Sequence, residues 1–318
     1  MKRLLIVLTL LALLPVWPAA AETAGEGAGD IRYVFDEKGF LLPESDADEF
    51  LSADEKNGVW RYASATLSIT VNRYREKVKK KTREYCVAEI WASPEDPLCA
   101  IMSEPGKTKP AGYKMVSPKL IEDKYRPIFA MSDDMYGIRL HRYKYDGVVI
   151  RDGQVMSSKT RNSGKRRAWP NLDTLAVFGD GSMKTFVCDA HTPEEYLKMG
   201  ALHVFSFGPV LIGNGEVNPT VRDPKYYPYN EPRAAIGMVE PYHYIAVAVR
   251  GRPTKQYAGV HLDWLADKML EMGCVEALNL DGGQTVTMMF NGELILCGDK
   301  RLRSQGSMIA FGMGKREK

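Results

Sequence analysis

Between residues 147 and 296, short β-rich stretches are punctuated by Asp152-Gly153, Asp180-Gly181 and Asn291-Gly292. Such pairs readily take the positive φ values of a tight hairpin, so each marks a reversal between neighbouring antiparallel strands. Only two clear helical signals interrupt this pattern. Thr192-Pro193-Glu194-Glu195 offers a cap, a proline suited to the first helical position and a glutamate three residues after the cap, and Gly200 ends the segment. From Leu262 to Met272, one side carries Leu262, Leu265, Ala266, Met269 and Leu270, and Gly273 terminates it. Strand, helix and strand alternate irregularly, with hairpins dominant. That mix argues for an α+β fold of hairpin-rich mixed β-sheets packed with a few helices, not for a doubly wound parallel sheet.

Upstream, the β-branched and aromatic density of Trp60–Val71 predicts one strand, and Glu84–Ala92 a second. The basic run from Lys77 to Arg83 joins them, either as a solvated hairpin tip or as a contact for an anionic polymer. Residues 22–58 are acidic and low in hydrophobicity, so they are expected to be partly disordered, with firm structure starting near Val59. The division expected is an N-terminal β extension over 59–125 and a core over 126–314. No internal repeat is present.

The first 21 residues form the three parts of a secretory leader. Lys2 and Arg3 precede an apolar run from Leu4 to Val16, and Pro18 and Ala19-Ala20-Ala21 follow. That run is shorter than the ~20 residues that span a bilayer. A cleaved leader is the expectation and an uncleaved anchor the alternative. Cleavage before Glu22 gives a secreted or extracytoplasmic protein with no stable membrane insertion. Formal net charge is +3, of which the leader holds two, so the remainder is nearly neutral and gives no argument for a nucleic-acid partner. None of the five cysteines forms a CxxC pair, and a zinc site is poorly supported. Cys86 and Cys99 flank a loop with Pro94 and Pro97; they form a disulfide in an oxidising compartment or, alternatively, are small buried thiols.

One motif carries chemistry. An apolar strand, Val275–Leu280, runs into Asp281-Gly282-Gly283-Gln284-Thr285, and Thr287–Phe290 resumes as a strand. An acid and two glycines thus sit where a buried strand leaves the core. Glycines there allow close backbone approach to a ligand and offer it N–H groups. Asp281 is placed to act as base, nucleophile or ligand orienter, or simply to cap a tight turn.

These residues resemble a known family. Asn279-Leu280-Asp281-Gly282-Gly283 with Thr287-Met288 is similar to the NLDGG-x-x-x-T signature of the phosphodiester glycosidases. Ser206-Phe207-Gly208-Pro209-Val210-Leu211 resembles the family's SFGP-x-L strand, and Pro232-Arg233-Ala234-Ala235-Ile236-Gly237 its PRTAIG segment. Gly251-Arg252, the spacing to Gly259 and the Leu262 helix also fit. Ala130–Tyr136 resembles its A-[IM]-N-G-D-[YF]-[YF] segment, with Ser132-Asp133 in place of Asn-Gly. In order and spacing the similarity covers about residues 84–312. Gln284-Thr285-Val286 departs from the common Gly-Ser-Ser, Arg250 stands where many members carry Asp, and His261 where Thr or Ser is frequent.

The resemblance implies an exported hydrolase cleaving a sugar-1-phosphodiester of the N-acetylglucosamine-1-phosphodiester type in an envelope or extracellular glycan. Bacterial members are labelled exopolysaccharide biosynthesis proteins. The alternative is a non-catalytic glycan-binding or exopolysaccharide-assembly protein on the same scaffold. Leaving phosphate needs a cation more than a strong acid, and a planar guanidinium matches its oxygens, which points to Arg233. The anomeric carbon needs a facing carboxylate, for which Asp281 and Asp134 are the candidates. Substrate-binding residues implied are Asn279, Gly282, Gly283, Gln284, Thr285, Thr287, Ser206, Gly208, Asp133, Arg252 and His261. No cofactor is called for. A divalent cation gathered by Asp133, Asp134 and Asp281 is the alternative, on the weak ground of three carboxylates far apart in sequence.

Overall fold

The computed structural model describes residues 22–24, 31–107, 113–134, 147–159, 170–252 and 256–316. Among these, the strands form a nine-stranded sheet, two five-stranded sheets and one two-stranded pair, and the fold is α+β. The leader, residues 1–21, lies outside the described residues, as do 135 and 136 of the Ala130–Tyr136 segment. No helix among the described residues is long and apolar enough to cross a membrane.

The nine-stranded sheet runs in the order Glu216–Val217, Val210–Gly213, Glu276–Asn279, Arg233–Glu240, His243–Val249, Lys81–Trp91, Ser68–Val78, Val59–Ser64, Glu49–Asp54. All its pairings are antiparallel, and the alternation of side chains across it separates two cores. Ile236, Leu278, Ile90 and Ile69 enter one core. Ala235, Ala277, Val247 and Ile245 enter the other, which the helix Leu262–Glu271 covers with Leu262, Leu265 and Met269. Burying each of those three side chains contributes ~1.5–3 kcal/mol.

Both five-stranded sheets pack on the first core. One has the order Glu293–Cys297, Thr287–Phe290, Phe129–Ser132, Ser307–Phe311, Cys99–Met102 and supplies Phe129, Met131 and Met288. The other has the order Gln154–Lys159, Gly147–Arg151, Ala201–Ser206, Thr174–Phe178, Met183–Phe186 and supplies Leu175 and Phe205. The Asp-Gly and Asn-Gly pairs do turn hairpins: Asp152 and Gly153 have φ of 49° and 70°, Asn291 and Gly292 of 46° and 86°. The capping box at Thr192 forms in full ahead of the helix Pro193–Lys198.

Several expectations change. Firm structure does not wait for Val59. Glu49–Asp54 is the edge strand of the large sheet, and Phe35, Leu41 and Phe50 pack with Ala63 in a small core of their own. Those apolar residues are so thinly spread among acids that composition hides them. Trp60–Val71 is two strands joined by a turn, because Leu67 folds back to give its carbonyl to the Ser64 N–H at 2.8 Å. The strand resembling SFGP-x-L breaks after Ser206 and resumes at Val210. The helix Pro118–Tyr125 gave little sequence signal, since it buries only Pro118, Ile121 and Glu122. Cys86 and Cys99 form no disulfide. Cys86 lies inside Lys81–Trp91 of the large sheet, opposite Ala248, whereas Cys99 pairs with Ala310 in a different sheet. The residues expected as an N-terminal extension share one sheet with the family-like segment, through seven consecutive residue pairs from His243↔Trp91 to Val249↔Tyr85.

Candidate active site

Strand Glu276–Asn279 ends between Val210–Gly213 and Arg233–Glu240, with Asn279 opposite Ala235. Beyond the strand the chain keeps close to the same neighbour. Leu280 N–H donates to the Ala234 carbonyl at 2.8 Å, and Gly283 N–H to the Pro232 carbonyl at 3.0 Å. The intervening Asp281 therefore follows the backbone past Arg233. Asp281 N–H turns the other way and donates to the Asp133 carbonyl at 3.2 Å. The loop 280–286 is thus the crossing from the nine-stranded sheet to the five-stranded sheet that starts again at Thr287.

The two glycines serve this crossing. A Cβ on Gly282 would meet the Pro232 carbonyl oxygen at 2.6 Å. Gly283 has φ of +66°, and a Cβ there would meet Arg252 Nη2 at 2.8 Å. The close approach they allow is to the chain's own backbone and to the Arg252 guanidinium. Gln284 is half-exposed, and Arg252 is exposed and ion-paired to Glu231 at 3.1 Å. Thr285 and Thr287 are buried and fastened by Gln305, whose Nε2 donates to the Thr285 carbonyl at 2.7 Å and to Thr287 Oγ1 at 2.9 Å. Asn279 Nδ2 donates to the Gly208 carbonyl at 2.9 Å. Asn279 Oδ1 and Thr285 Oγ1 are buried with no hydrogen-bond partner, a state that buried polar atoms rarely keep without a reason.

On one side of Asp281 lies a closed ionic cluster. Asp134 has no exposed surface; its carboxylate accepts from Arg151 Nη2 and, at 2.6 Å, from the Ser206 N–H. Asp133 accepts from Ser307 Oγ and, at 3.3 Å, from Arg151 Nη2. Arg151 in turn donates to the carbonyls of Ile150 at 3.0 Å and Val204 at 2.8 Å, and its guanidinium stacks over Phe205 at 4.2 Å. The two five-stranded sheets meet at this junction, one supplying Arg151 and Ser206, the other Ser307 and the strand that leads into Asp133 and Asp134. Asp133 and Asp134 turn to Arg151, and among the described residues no group of three or more His, Cys, Asp or Glu is placed to hold a metal ion.

On the other side lies Arg233, itself buried. Its Nη2 donates to the Tyr229 carbonyl at 3.1 Å, its Nε reaches the Val260 carbonyl at 3.5 Å, and its guanidinium stands over the Tyr227 ring at 4.9 Å. Burial pulls its pKa down to about 10, which still leaves it a cation at neutral pH. His261 follows Val260 at the start of the helix Leu262–Glu271, with Nδ1 3.1 Å from Asp263 Oδ1. Exposed Tyr229 meets Tyr227 edge-on with ring centroids 5.6 Å apart.

The backbone path thus brings Asp281, Gly282, Gly283, Arg233, Arg252 and Asn279 into one neighbourhood, with Asp133 and Asp134 behind it. Ser206 lies on the closed side, and Gly208 beside Asn279. Sequence reasoning missed Arg151, Ser307, Gln305 and the tyrosines. The one visible signal was a charged Arg151 ending the continuous apolar run Val148-Val149-Ile150.

The phosphodiester glycosidase family model matches residues 125–311, more than half of the chain. The chain belongs to the phosphodiester glycosidase family. Its fold is similar to that of the zebrafish N-acetylglucosamine-1-phosphodiester alpha-N-acetylglucosaminidase catalytic domain auto-inhibited by its pro-peptide, at 16% identity and a TM-score of 0.58, over 84% of this chain and 88% of that one. It is also similar to a hypothetical protein from Synechocystis, at 14% identity and a TM-score of 0.51, over 88% of this chain and 72% of that one. At these identities the likeness is one of fold. Comparison with curated protein sequences gave no significant match. Within the glycosidase segment fall Asp134, Arg233 and Asp281, together with Arg151 of the closed cluster.

Proposed function

We propose that this phosphodiester glycosidase relative hydrolyses the bond between a sugar's anomeric carbon and a phosphodiester oxygen, in a glycan outside the cytoplasm. The observation that carries the reading is Asp281, a carboxylate at a strand tip, running alongside Arg233, a buried guanidinium that stays charged. Asp281 faces the anomeric carbon as nucleophile or as base toward water. Arg233 gathers the charge that develops on the departing phosphate; its planar fork fits two phosphate oxygens. The C–O bond to phosphate breaks, water supplies the new C–O bond and the two protons, and the products are a reducing sugar and a phosphomonoester.

Asn279 and Thr285, both buried, support the loop from beneath, through the Gly208 carbonyl and Gln305. Gly282, Gly283, Gln284, Arg252 and His261 frame the substrate. Asp134, Asp133 and Ser206 act from behind, with Arg151, by holding the junction on which Asp281 rests. The zebrafish relative's name, an alpha-N-acetylglucosaminidase of an N-acetylglucosamine-1-phosphodiester, supports the sugar-phosphate class. Export rests on the leader-like residues 1–21.

Non-catalytic glycan binding on the same scaffold is favoured by one observation, the complete enclosure of Asp134. Incubating the full chain with a panel of synthetic sugar-1-phosphodiesters separates the two. Release of reducing sugar from at least one member is expected; binding of the panel without turnover contradicts the enzymatic reading.

A further inference from the structure

Next to the Asp281 loop lies a cavity of about 340 Å3, lined by Arg250, Gly251, Arg252, Tyr257, Asp299 and Lys300 among others. Two contacts join it to the loop. Gly298, on its floor, packs so tightly on the Gly283 carbonyl that no Cβ fits there, and its own carbonyl accepts from the Gly251 N–H at 2.6 Å. Arg252 reaches over Gly283 from the cavity wall. The cavity therefore opens two residues along the chain from Asp281.

Its charge is positive. Three cations line it against the one carboxylate of Asp299. Arg250 is paired with Glu84 at 3.0 Å, but Glu84 also serves Arg75 at 2.9 Å, so one carboxylate is shared between two guanidinium groups. Arg252 has Glu231 at 3.1 Å and keeps about half its side chain exposed. Beyond Lys300 the chain continues through exposed Arg301 and Arg303 to Gln305, which fastens Thr285 and Thr287. A basic strap thus runs from the cavity back to the reaction loop. Its volume is at the lower end of small-molecule pockets, enough for one charged group and part of its carrier.

We infer that this cavity binds a second phosphate, carried by the alcohol side of the substrate. The substrate class is then a sugar-1-phosphodiester whose aglycone is itself phosphorylated, as in a chain of polyol- or sugar-phosphate units, not an isolated phosphodiester. This inference rests on the hydrolase reading above. The second phosphate lowers KM through the cation-lined cavity, and because the cations face water the gain is salt-dependent.

The test compares two synthetic substrates, a sugar-1-phosphodiester of propanol and the same compound with a terminal phosphate on the propyl chain. At low salt the phosphorylated compound should have a KM lower by about tenfold, ~1.4 kcal/mol, and 0.5 M salt should shrink that ratio. Lys300→Glu, at an exposed position, should bring the ratio close to one. Equal KM values in the native chain, or a ratio unchanged in Lys300→Glu, overturns the inference while leaving the hydrolase reading in place. Calorimetry with propane-1,3-diyl bisphosphate reads the cavity without turnover. Binding weakened by Lys300→Glu is expected, and equal binding to both proteins overturns the inference. If neither substrate is cleaved but that binding difference is present, the hydrolase reading fails and the anion site stands.

Discussion

Two aspartate–arginine arrangements flank the same loop and solve opposite problems. In the closed one, Arg151 is sandwiched between Asp133 and Asp134, stacked on Phe205 and tied to two carbonyls, all without exposed surface to speak of. In the open one, Arg233 leans on carbonyls and tyrosine rings, and Asp281 leads into half-exposed Gly282, Gly283 and Gln284. An ion cluster whose charges already satisfy one another is a fastening. The Arg233 guanidinium stands beside a loop that reaches the surface. The contrast teaches that the same residue types, in two sheets on either side of one loop, divide into frame and working surface according to what surrounds them.

The largest effect is expected on the closed side. Replacing Arg151 with Met leaves two enclosed carboxylates without their cation, which commonly costs about 3–5 kcal/mol. Denaturant unfolding should show a fall of that size, and a shift below ~1 kcal/mol would break the distinction between frame and working surface.

His203 sharpens the same side. It sits beside Arg151, and burial together with that guanidinium pulls its pKa down to about 3. Its Nδ1 accepts from the Asp152 N–H at 3.3 Å, as a neutral ring can. The unfolded imidazole titrates near 6.5, so between about pH 6.5 and 3 the unfolded state binds more protons and stability falls as pH falls. Unfolding free energy should drop by ~2 kcal/mol from pH 7 to pH 5 on this account. His203→Gln should remove most of that pH dependence, whatever it does to stability at pH 7. An unchanged slope would show that other groups set it.

On the open side, Arg233→Lys should slow hydrolysis by at least tenfold, ~1.4 kcal/mol, because a point-like ammonium cannot make a two-pronged phosphate contact. An unchanged rate would remove Arg233 from its role. The smallest effect is expected at Lys80, in the turn between Ser68–Val78 and Lys81–Trp91, where Lys80→Ala should change neither stability nor rate by more than about 0.5 kcal/mol.

Much of the open side was legible in sequence; on the closed side Asp133, Asp134 and Ser206 were, and the cation that joins them was not. Asp281, the glycines and Arg233 sit in short motifs whose spacing is local, and the Asn291-Gly292 turn and the Thr192 cap follow from residues within four positions of each other. Arg151 was visible only as a charge ending the apolar run Val148-Val149-Ile150. Its partners lie 17, 18 and 53 positions away, and nothing in a local pattern reports contacts of that range. The same limit hid Gln305 and Ser307, and it made Cys86 and Cys99 look like partners when their strands belong to different sheets. The export expectation stands apart, on residues 1–21 alone. Mass spectrometry of protein from the culture should find Glu22 as its first residue, and a retained Met1–Ala21 segment contradicts it.

The division between frame and working surface is tested most directly by one paired measurement on Asp281→Asn and Asp134→Asn. Each exchange removes a charge with little change of shape. For both proteins the rate of reducing-sugar release from a sugar-1-phosphodiester and the denaturant midpoint are recorded together. Asp281→Asn should lose at least 10²-fold in rate, ~2.7 kcal/mol of barrier, with its midpoint unchanged. Asp134→Asn should lose its midpoint first, because Arg151 is left with a weaker partner. The reverse result, a stable but inactive Asp134→Asn beside an active Asp281→Asn, would contradict the assignment of Asp281 as the carboxylate that meets the sugar.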